Sequence, residues 1–208
     1  MRVAGSVPGA AHVSGAGSSK GFERMRDGGQ GAGHDPLIPV FHGGGLRPYG
    51  KLAAHREGLR HPAVSVFVMR GGLTLIQRRA LAKYHTPGLW ANSCCTHPHW
   101  NGGGAEETVA CAARRLDEEL GLTGLSLRMV GRIDYRADVG GGLIEDEAVE
   151  VFAAEAPPGM EPSPNPDEVA ETRWIGCDAL LREVARTPER FTPWLRIYLR
   201  DHADMIFG

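Results

Sequence analysis

The chain has 208 residues, with 23 Lys and Arg against 25 Asp and Glu, giving a formal net charge of −2. That length supports a domain with a self-sufficient core, and that charge balance gives no general attraction for nucleic acid. Four cysteines without a C-x-x-C pair, and no apolar run near the roughly 20 residues that span a bilayer, argue against a disulfide scaffold, a zinc ribbon or a membrane protein; a soluble cytoplasmic protein is expected.

Residues 1–35 hold nine of the 29 glycines and few large apolar side chains. Such a segment buries too little surface to offset its ordering entropy, which predicts a disordered N-terminal extension, with Met25 as a second start inside it, ahead of a domain at 36–208. LIPVF (37–41) reads as a strand and HGGGLRPYG as turn-rich. Alternation predicts a strand over 64–69, a tight turn at Arg70-Gly71-Gly72 and a returning strand over 73–78. Val109, Ala112, Ala113, Leu116 and Leu120 recur at helical spacing, predicting a helix over 105–120 that Gly121 stops and whose first turn holds Glu106 and Glu107. Strands are expected near 127–136, 147–154 and 173–175, with a proline-rich loop over 155–168. A helix over 177–186 and a last helix opened by Thr192-Pro193 complete the chain. This order predicts an α+β protein with a mixed sheet packed between helices.

Several groups of residues can carry chemistry. Arg115 and Glu119 are i,i+4 neighbours on the 105–120 helix, where acidic side chains follow a glycine-rich loop and suit a divalent cation. In E-D-E (145–147), Glu145 and Glu147 point to one side of an extended backbone and Asp146 to the other; either solvent or a cation must relieve their repulsion. With His55, His61 and His97 they make three imidazoles and two carboxylates, a set for octahedral Mn²⁺ or Mg²⁺, or for an opportunistic Zn²⁺. Cys95 stands two residues before His97, so a thiol adjoins that set. Lys51, Arg79, Lys83 and Arg115 together can hold a diphosphate, although each alone is an ordinary surface charge.

The spacing of Glu106, Arg114, Leu116, Glu118, Glu119, Gly121 and Leu122 resembles the Nudix box. Trp100 replaces its first glycine, and Arg115 replaces the glutamate after the arginine. In Nudix hydrolases that glutamate belongs to a metal-binding cluster that activates water, so the exchange counts against a Nudix pyrophosphohydrolase, the alternative activity. G-K-L-A-A-H (50–55), R-R-A-L-A-K (78–83), P-G-L-W-A-N-S-C-C-T-H-P (87–98), Y-R-A (135–137), E-D-E and T-P-W (192–194) also occur in order. Over roughly 37–200 the chain resembles the type 1 isopentenyl-diphosphate delta-isomerases.

That resemblance implies a Nudix-type α/β/α sandwich and conversion of isopentenyl diphosphate to dimethylallyl diphosphate in isoprenoid precursor synthesis. It implies catalytic Cys95 and Glu147 with Tyr135 beside them. It also implies His55, His61, His97, Glu145 and Glu147 as ligands of a Mn²⁺ or Mg²⁺, and Glu119 as a ligand of the Mg²⁺ that accompanies the substrate. Lys51, Arg79, Lys83 and Arg115 correspond to diphosphate contacts and Trp194 to an aromatic over the allylic carbons. His55 and His61 are one residue closer than the family spacing, which requires a different turn between them. The expected partner is the small-molecule substrate alone, with neither nucleic acid nor membrane, and the expected state is a monomer, with a dimer as the alternative.

Overall fold

A computed structural model describes residues 35–208, so the expected N-terminal extension lies outside the described residues except for Asp35. Strands β1 (Leu37–His42) and β2 (Gly45–Gly50) form a hairpin. Helix α1 (Lys51–Glu57) follows at once. Its free N-terminal amides are met from far along the chain: the Asp35 carboxylate accepts from Leu52 N–H at 2.9 and 3.2 Å, and Pro36 O accepts from Lys51 N–H at 2.9 Å.

Next come β3 (Arg60–Arg70), β4 (Leu73–Arg79), the short β5 (Trp90–Ala91), β6 (Cys94–Thr96), β7 (Trp100–Asn101) and β8 (Gly104–Ala105), then α2 (Thr108–Leu120). The long strands β9 (Arg128–Gly140) and β10 (Leu143–Glu155) form a hairpin, followed by β11 (Val169–Gly176), α3 (Cys177–Arg186), α4 (Pro193–Asp201) and α5 (Ala203–Phe207). The main sheet runs β11-β4-β3-β10-β9, with β3 and β10 parallel and the other pairs antiparallel, so the expected mixed sheet is present.

Strand alternation divides the core between the two faces of this sheet. Val64, Val66, Val68 and Leu75 pack with Leu116 and Leu120 of α2 on one face. Phe67, Ile76, Val149 and Val151 pack with Leu180 of α3 and Trp194, Leu195 and Tyr198 of α4 on the other. Two helical layers around one sheet make the α/β/α sandwich. Among the described residues no helix is long and apolar enough to cross a membrane.

One irregularity of the sheet builds the site. Strands β3 and β4 pair only at Met69–Thr74 and Arg70–Leu73. Beyond that they diverge, and β6 takes over the β3 edge at Val64–Val66 while β5 takes the β4 edge at Gln77–Arg78. Side chains replace the missing ladder bonds. Ser93 Oγ accepts from Val68 N–H at 2.8 Å and donates to Leu75 O at 2.7 Å, while Asn92 Nδ2 donates to Val66 O at 2.9 Å. Buried backbone groups left by the split are satisfied in this way, which gives the Asn-Ser of N-S-C-C-T-H-P a structural duty.

Several boundaries differ from the sequence expectation. Helix α2 starts at Thr108, with Glu107 as its extended N-cap residue, so Glu106 and Glu107 precede the first turn. Glu106 is instead held by Arg114, at 2.8 Å to Nε and 2.7 Å to Nη2. Only Gly43 and Gly44 of the glycine-rich segment turn, and Gly45–Gly50 is strand. The E-D-E segment lies inside β10 rather than at its entrance, and the last helix breaks at His202.

Candidate active site and metal centre

Neighbouring strands place Tyr135, Glu147 and His61 side by side: Glu147 of β10 pairs with Tyr135 of β9 and with His61 of β3. Glu145 lies two residues earlier on the same buried face, at 3% exposure against 5% for Glu147, as the i,i+2 spacing requires. His55 comes from α1, which ends at Gly58 in the left-handed region (φ 61°). This turn carries the chain from α1 into β3 and joins His55 to His61 at their shortened spacing; a side chain at Gly58 would be strained at that φ and would sit 3.1 Å from Arg136 Nη2. His97 follows β6.

The three imidazoles converge, with ring centroids 4.9 Å (His55–His61), 5.0 Å (His55–His97) and 4.8 Å (His61–His97) apart. His55 Nδ1 lies 2.6 Å from Lys51 O and His61 Nδ1 2.6 Å from Leu59 O. A carbonyl only accepts, so both Nδ1 atoms carry a proton, and in the neutral ring that leaves the lone pair on Nε2. These Nε2 atoms and His97 Nδ1 are buried without hydrogen-bond partners. His97 Nε2 is 2.9 Å from Glu147 Oε1, and His61 Nε2 is 3.5 Å from it. Donor atoms of His55, His61, His97 and Glu147 lie within 4.8 Å of one another. Unpartnered lone pairs facing a carboxylate, with outer ring nitrogens fixed by carbonyls, fit a divalent cation.

Electrostatics separate the two carboxylates. Burial, then the charge of Glu147, pushes Glu145 well above the usual carboxylate range. Burial also presses Glu147 upward, but the imidazoles of His61 and His97 outweigh it and hold its carboxyl well below that range. Tyr135 Oη lies 2.7 Å from Glu145 Oε2 and 2.8 Å from Glu147 Oε2. One phenol proton serves only one of them, so the second contact needs a proton on a carboxyl, in keeping with a protonated Glu145. Burial followed by the two glutamate charges raises Tyr135, which keeps its proton.

Cys95 reaches the same cleft from β6. Burial is the main influence raising its thiol. The cleft is lined by Cys95, His97, Tyr135, Glu145, Glu147 and Trp194 together with Lys51, Arg79, Lys83 and Arg115. Burial, and then the charges of Lys83, Arg115 and Arg79, lower Lys51 to about 8, the mark of cations gathered without enough anions. Trp194 reaches the cleft because Thr192 N–H donates to Trp90 O at 2.9 Å and Pro193 then opens α4. Its ring is 2% exposed, and the Arg79 guanidinium lies 5.3 Å from its centroid.

Glu119 stands apart from the histidine cluster, on α2, where its carboxylate accepts from Gln77 Nε2 at 2.8 Å and pairs with Arg115. Lys83 pairs with Glu168, a residue the sequence reading did not single out; Glu168 also lies 3.4 Å from Arg115. His85 was missed as well. It is buried in the cleft wall, stacks on His55 at 6.0 Å, and groups with His55 and Glu145 as a second set of donor atoms within 4.8 Å. Burial and then the Arg79 charge lower it to about 2, so it is a neutral imidazole. The next residue, Thr86, has φ 46°, a strained value for a β-branched residue. A lone histidine in a loop gives no pattern by which sequence alone would find it.

The model of the NUDIX domain family matches residues 59–195. The chain is similar to the isopentenyl-diphosphate Delta-isomerases of Rhodobacter capsulatus (60% identity over 173 residues, 83% of this chain and 96% of that protein) and Dinoroseobacter shibae (62% over 172 residues, 83% and 96%). Among solved structures it resembles a Deinococcus radiodurans protein (TM-score 0.61, 17% identity, 79% of this chain and 97% of the other) and a MutT NUDIX hydrolase from Burkholderia pseudomallei (TM-score 0.53, 22% identity, 69% and 98%). At those identities the structural likeness speaks for the fold alone.

Proposed function

The chain belongs to the NUDIX domain family and, within it, to the isopentenyl-diphosphate Delta-isomerases, and from that premise we propose that it moves the double bond of isopentenyl diphosphate from C3–C4 to C2–C3 to give dimethylallyl diphosphate. The observation that carries this reading is one cleft lined by a thiol, a buried carboxylate pair sharing a tyrosine, and four cations.

Protonating an unactivated alkene creates a tertiary carbocation, which needs a strong acid, a base near C2 and exclusion of water. In the reactive state the Cys95 proton has passed to Glu147, leaving a thiolate and a carboxylic acid; Glu147, directly or through the Tyr135 hydroxyl, then delivers a proton at C4, and the Cys95 sulfur takes one from C2, which restores the thiol and the carboxylate. Trp194 offers a π-face to the cation, worth up to about 2 kcal/mol when desolvated. Lys51, Arg79, Lys83 and Arg115 grip the diphosphate, whose remote binding energy supports the difficult step. His55, His61, His97, Glu145 and Glu147 would hold a Mn²⁺ or Mg²⁺, which when bound supplies positive charge that tunes the acidity of the adjoining carboxyls. Glu119 offers its carboxylate to a Mg²⁺ arriving with the diphosphate, because one carboxylate needs substrate oxygens to complete an octahedron. Hydrolysis is disfavoured because Arg115 occupies the position of an acidic box residue and engages Glu118 at 2.8 Å, Glu119 and Glu168.

Incubation with isopentenyl diphosphate and Mg²⁺ in D₂O tests the reading. Dimethylallyl diphosphate should form with deuterium in its new methyl group, and free phosphate should stay at background. Phosphate release without isomer would replace the isomerase with the hydrolase.

A further inference from the structure

The thiol of Cys95 is held by a closed ring of side-chain hydrogen bonds. Strand pairing sets Cys95 of β6 directly across from Ser65 of β3. Cys95 Sγ lies 3.2 Å from Ser65 Oγ and 3.1 Å from Asn92 Oδ1, and Asn92 Nδ2 lies 2.9 Å from Ser65 Oγ. Ser65 and Asn92 are both fully buried.

The directions in this ring are fixed by the backbone around it. Asn92 Nδ2 also faces Val66 O at 2.9 Å and Cys94 O at 3.0 Å. Carbonyls only accept, so the amide nitrogen must point at them and the amide oxygen must point at sulfur; a flipped amide would set oxygen against two carbonyl oxygens. Oδ1 therefore accepts the S–H of the resting thiol; Asn92 Nδ2, with two hydrogens for three acceptors, shares one of them with Ser65 Oγ, which accepts, and the serine hydroxyl hydrogen is left to turn to sulfur. Both carbonyls belong to the strands framing the sheet split, so the rigid sheet sets the direction of the ring.

We infer that Ser65 and Asn92 are positioning residues for the isomerisation, aiming the Cys95 sulfur so that it meets one of the two C2 hydrogens of the substrate. The inference rests on Cys95 being the group that takes the C2 proton. Two hydrogen bonds fix the χ1 rotamer of Cys95, which a lone thiol would sample freely, and the sulfur surface left uncovered faces the cleft. The two C2 hydrogens lie on opposite sides of the carbon, so a wandering sulfur would reach either.

Ser65→Ala is the clean perturbation, since it removes one hydroxyl and leaves Asn92 its two carbonyl partners. Turnover should fall about 3- to 10-fold, the scale of one hydrogen bond, with KM, metal content and Tm close to those of the parent. Substrate carrying deuterium at one C2 position only should show mixed loss of hydrogen and deuterium, where the parent loses a single one. Ser65→Thr, which returns a hydroxyl, should restore the selectivity. Unchanged turnover and selectivity in Ser65→Ala, while Cys95→Ala is inactive, would overturn the positioning role and leave the isomerase reading standing. A rate loss with intact selectivity and a lowered Tm would overturn it in favour of a purely structural serine. An active Cys95→Ala would remove the thiol, and the inference with it.

Discussion

Removing the cation from the histidine cluster should cost the protein measurable stability, and the cost can be sized from the unpartnered nitrogens. His55 Nε2, His61 Nε2 and His97 Nδ1 are buried without a hydrogen-bond partner. Each buried unsatisfied polar atom costs about 1–3 kcal/mol; His97 turns Nε2 rather than Nδ1 to Glu147, so the Nε2 atoms of His55 and His61 leave about 2–6 kcal/mol for a ligand to recover. Mass action gives a compatible figure, about 4 kcal/mol when a cation is present at a thousand times its Kd. For a domain of this size 1 kcal/mol corresponds to about 2–4 °C in Tm, so stripping the ion with a chelator should lower Tm by at least about 4 °C. Differential scanning calorimetry with and without chelator, alongside metal analysis, reads this directly. His97→Ala should hold less than one ion and lose its chelator response, whereas Glu119→Gln should keep both, since Glu119 lies on α2 outside the cluster. A chelator shift of equal size in the parent and in His97→Ala would refute the reasoning, and equal loss of metal in both variants would refute the division between a resident ion and one that arrives with substrate.

Cys95→Ala and Glu147→Gln should each reduce turnover by about 10²–10⁴-fold, and the double variant by far less than the product, because groups acting as a unit are not additive; multiplicative losses in steady-state assays would contradict this. Gly58→Ala puts a side chain at φ 61° against Arg136 and pulls on the turn joining His55 to His61, so a Tm drop corresponding to about 1–2 kcal/mol and weakened metal retention are expected. Glu106 is held down to about 2, first by its hydrogen bonds from Arg114. A depressed carboxyl stabilises above its ordinary value and loses that contribution as pH falls towards about 2. The pair is partly solvated, so about 1–2 kcal/mol should disappear over that range in the parent and not in Glu106→Gln, as read by denaturant titration at stepped pH.

What the sequence revealed and what it hid follow from the range of the interactions involved. Helix α2 was legible because its apolar residues keep one face in register for thirteen residues. The shared face of Glu145 and Glu147 was legible because strand parity is local. Helix α1 was not: seven residues are too few for a period, and its amides are met by Asp35, 17 positions away. The reading of His55 and His61 as flanking a short turn therefore became a helix end, a left-handed glycine and the start of β3. Lys51 opens that same helix. The split between β3 and β4 was equally hidden, since Asn92 and Ser93 show their purpose only once two strands have diverged around them. Glu168 and His85 had no local signal at all.

The exchange at Arg115 explains how a hydrolase-like frame can serve a reaction that must keep the diphosphate intact. Glu106 and Arg114 still clasp each other, bracing the loop before α2 against the helix, so the structural half of the box persists. Its acidic half is altered. A fixed guanidinium now stands among Glu118, Glu119 and Glu168; burial works against its charge, and those carboxylates outweigh it and leave it permanently charged. Positive charge there repels a crowd of cations and attracts an anion, which favours gripping a diphosphate over polarising its bridging bond. The carboxylates that remain free of such pairing lie on β10 instead, buried beside Tyr135 and facing Cys95 across the same cleft. Under the proposed isomerisation, acid–base capacity sits on the enclosed sheet rather than on α2, and enclosure of that kind is what a carbocation needs to survive.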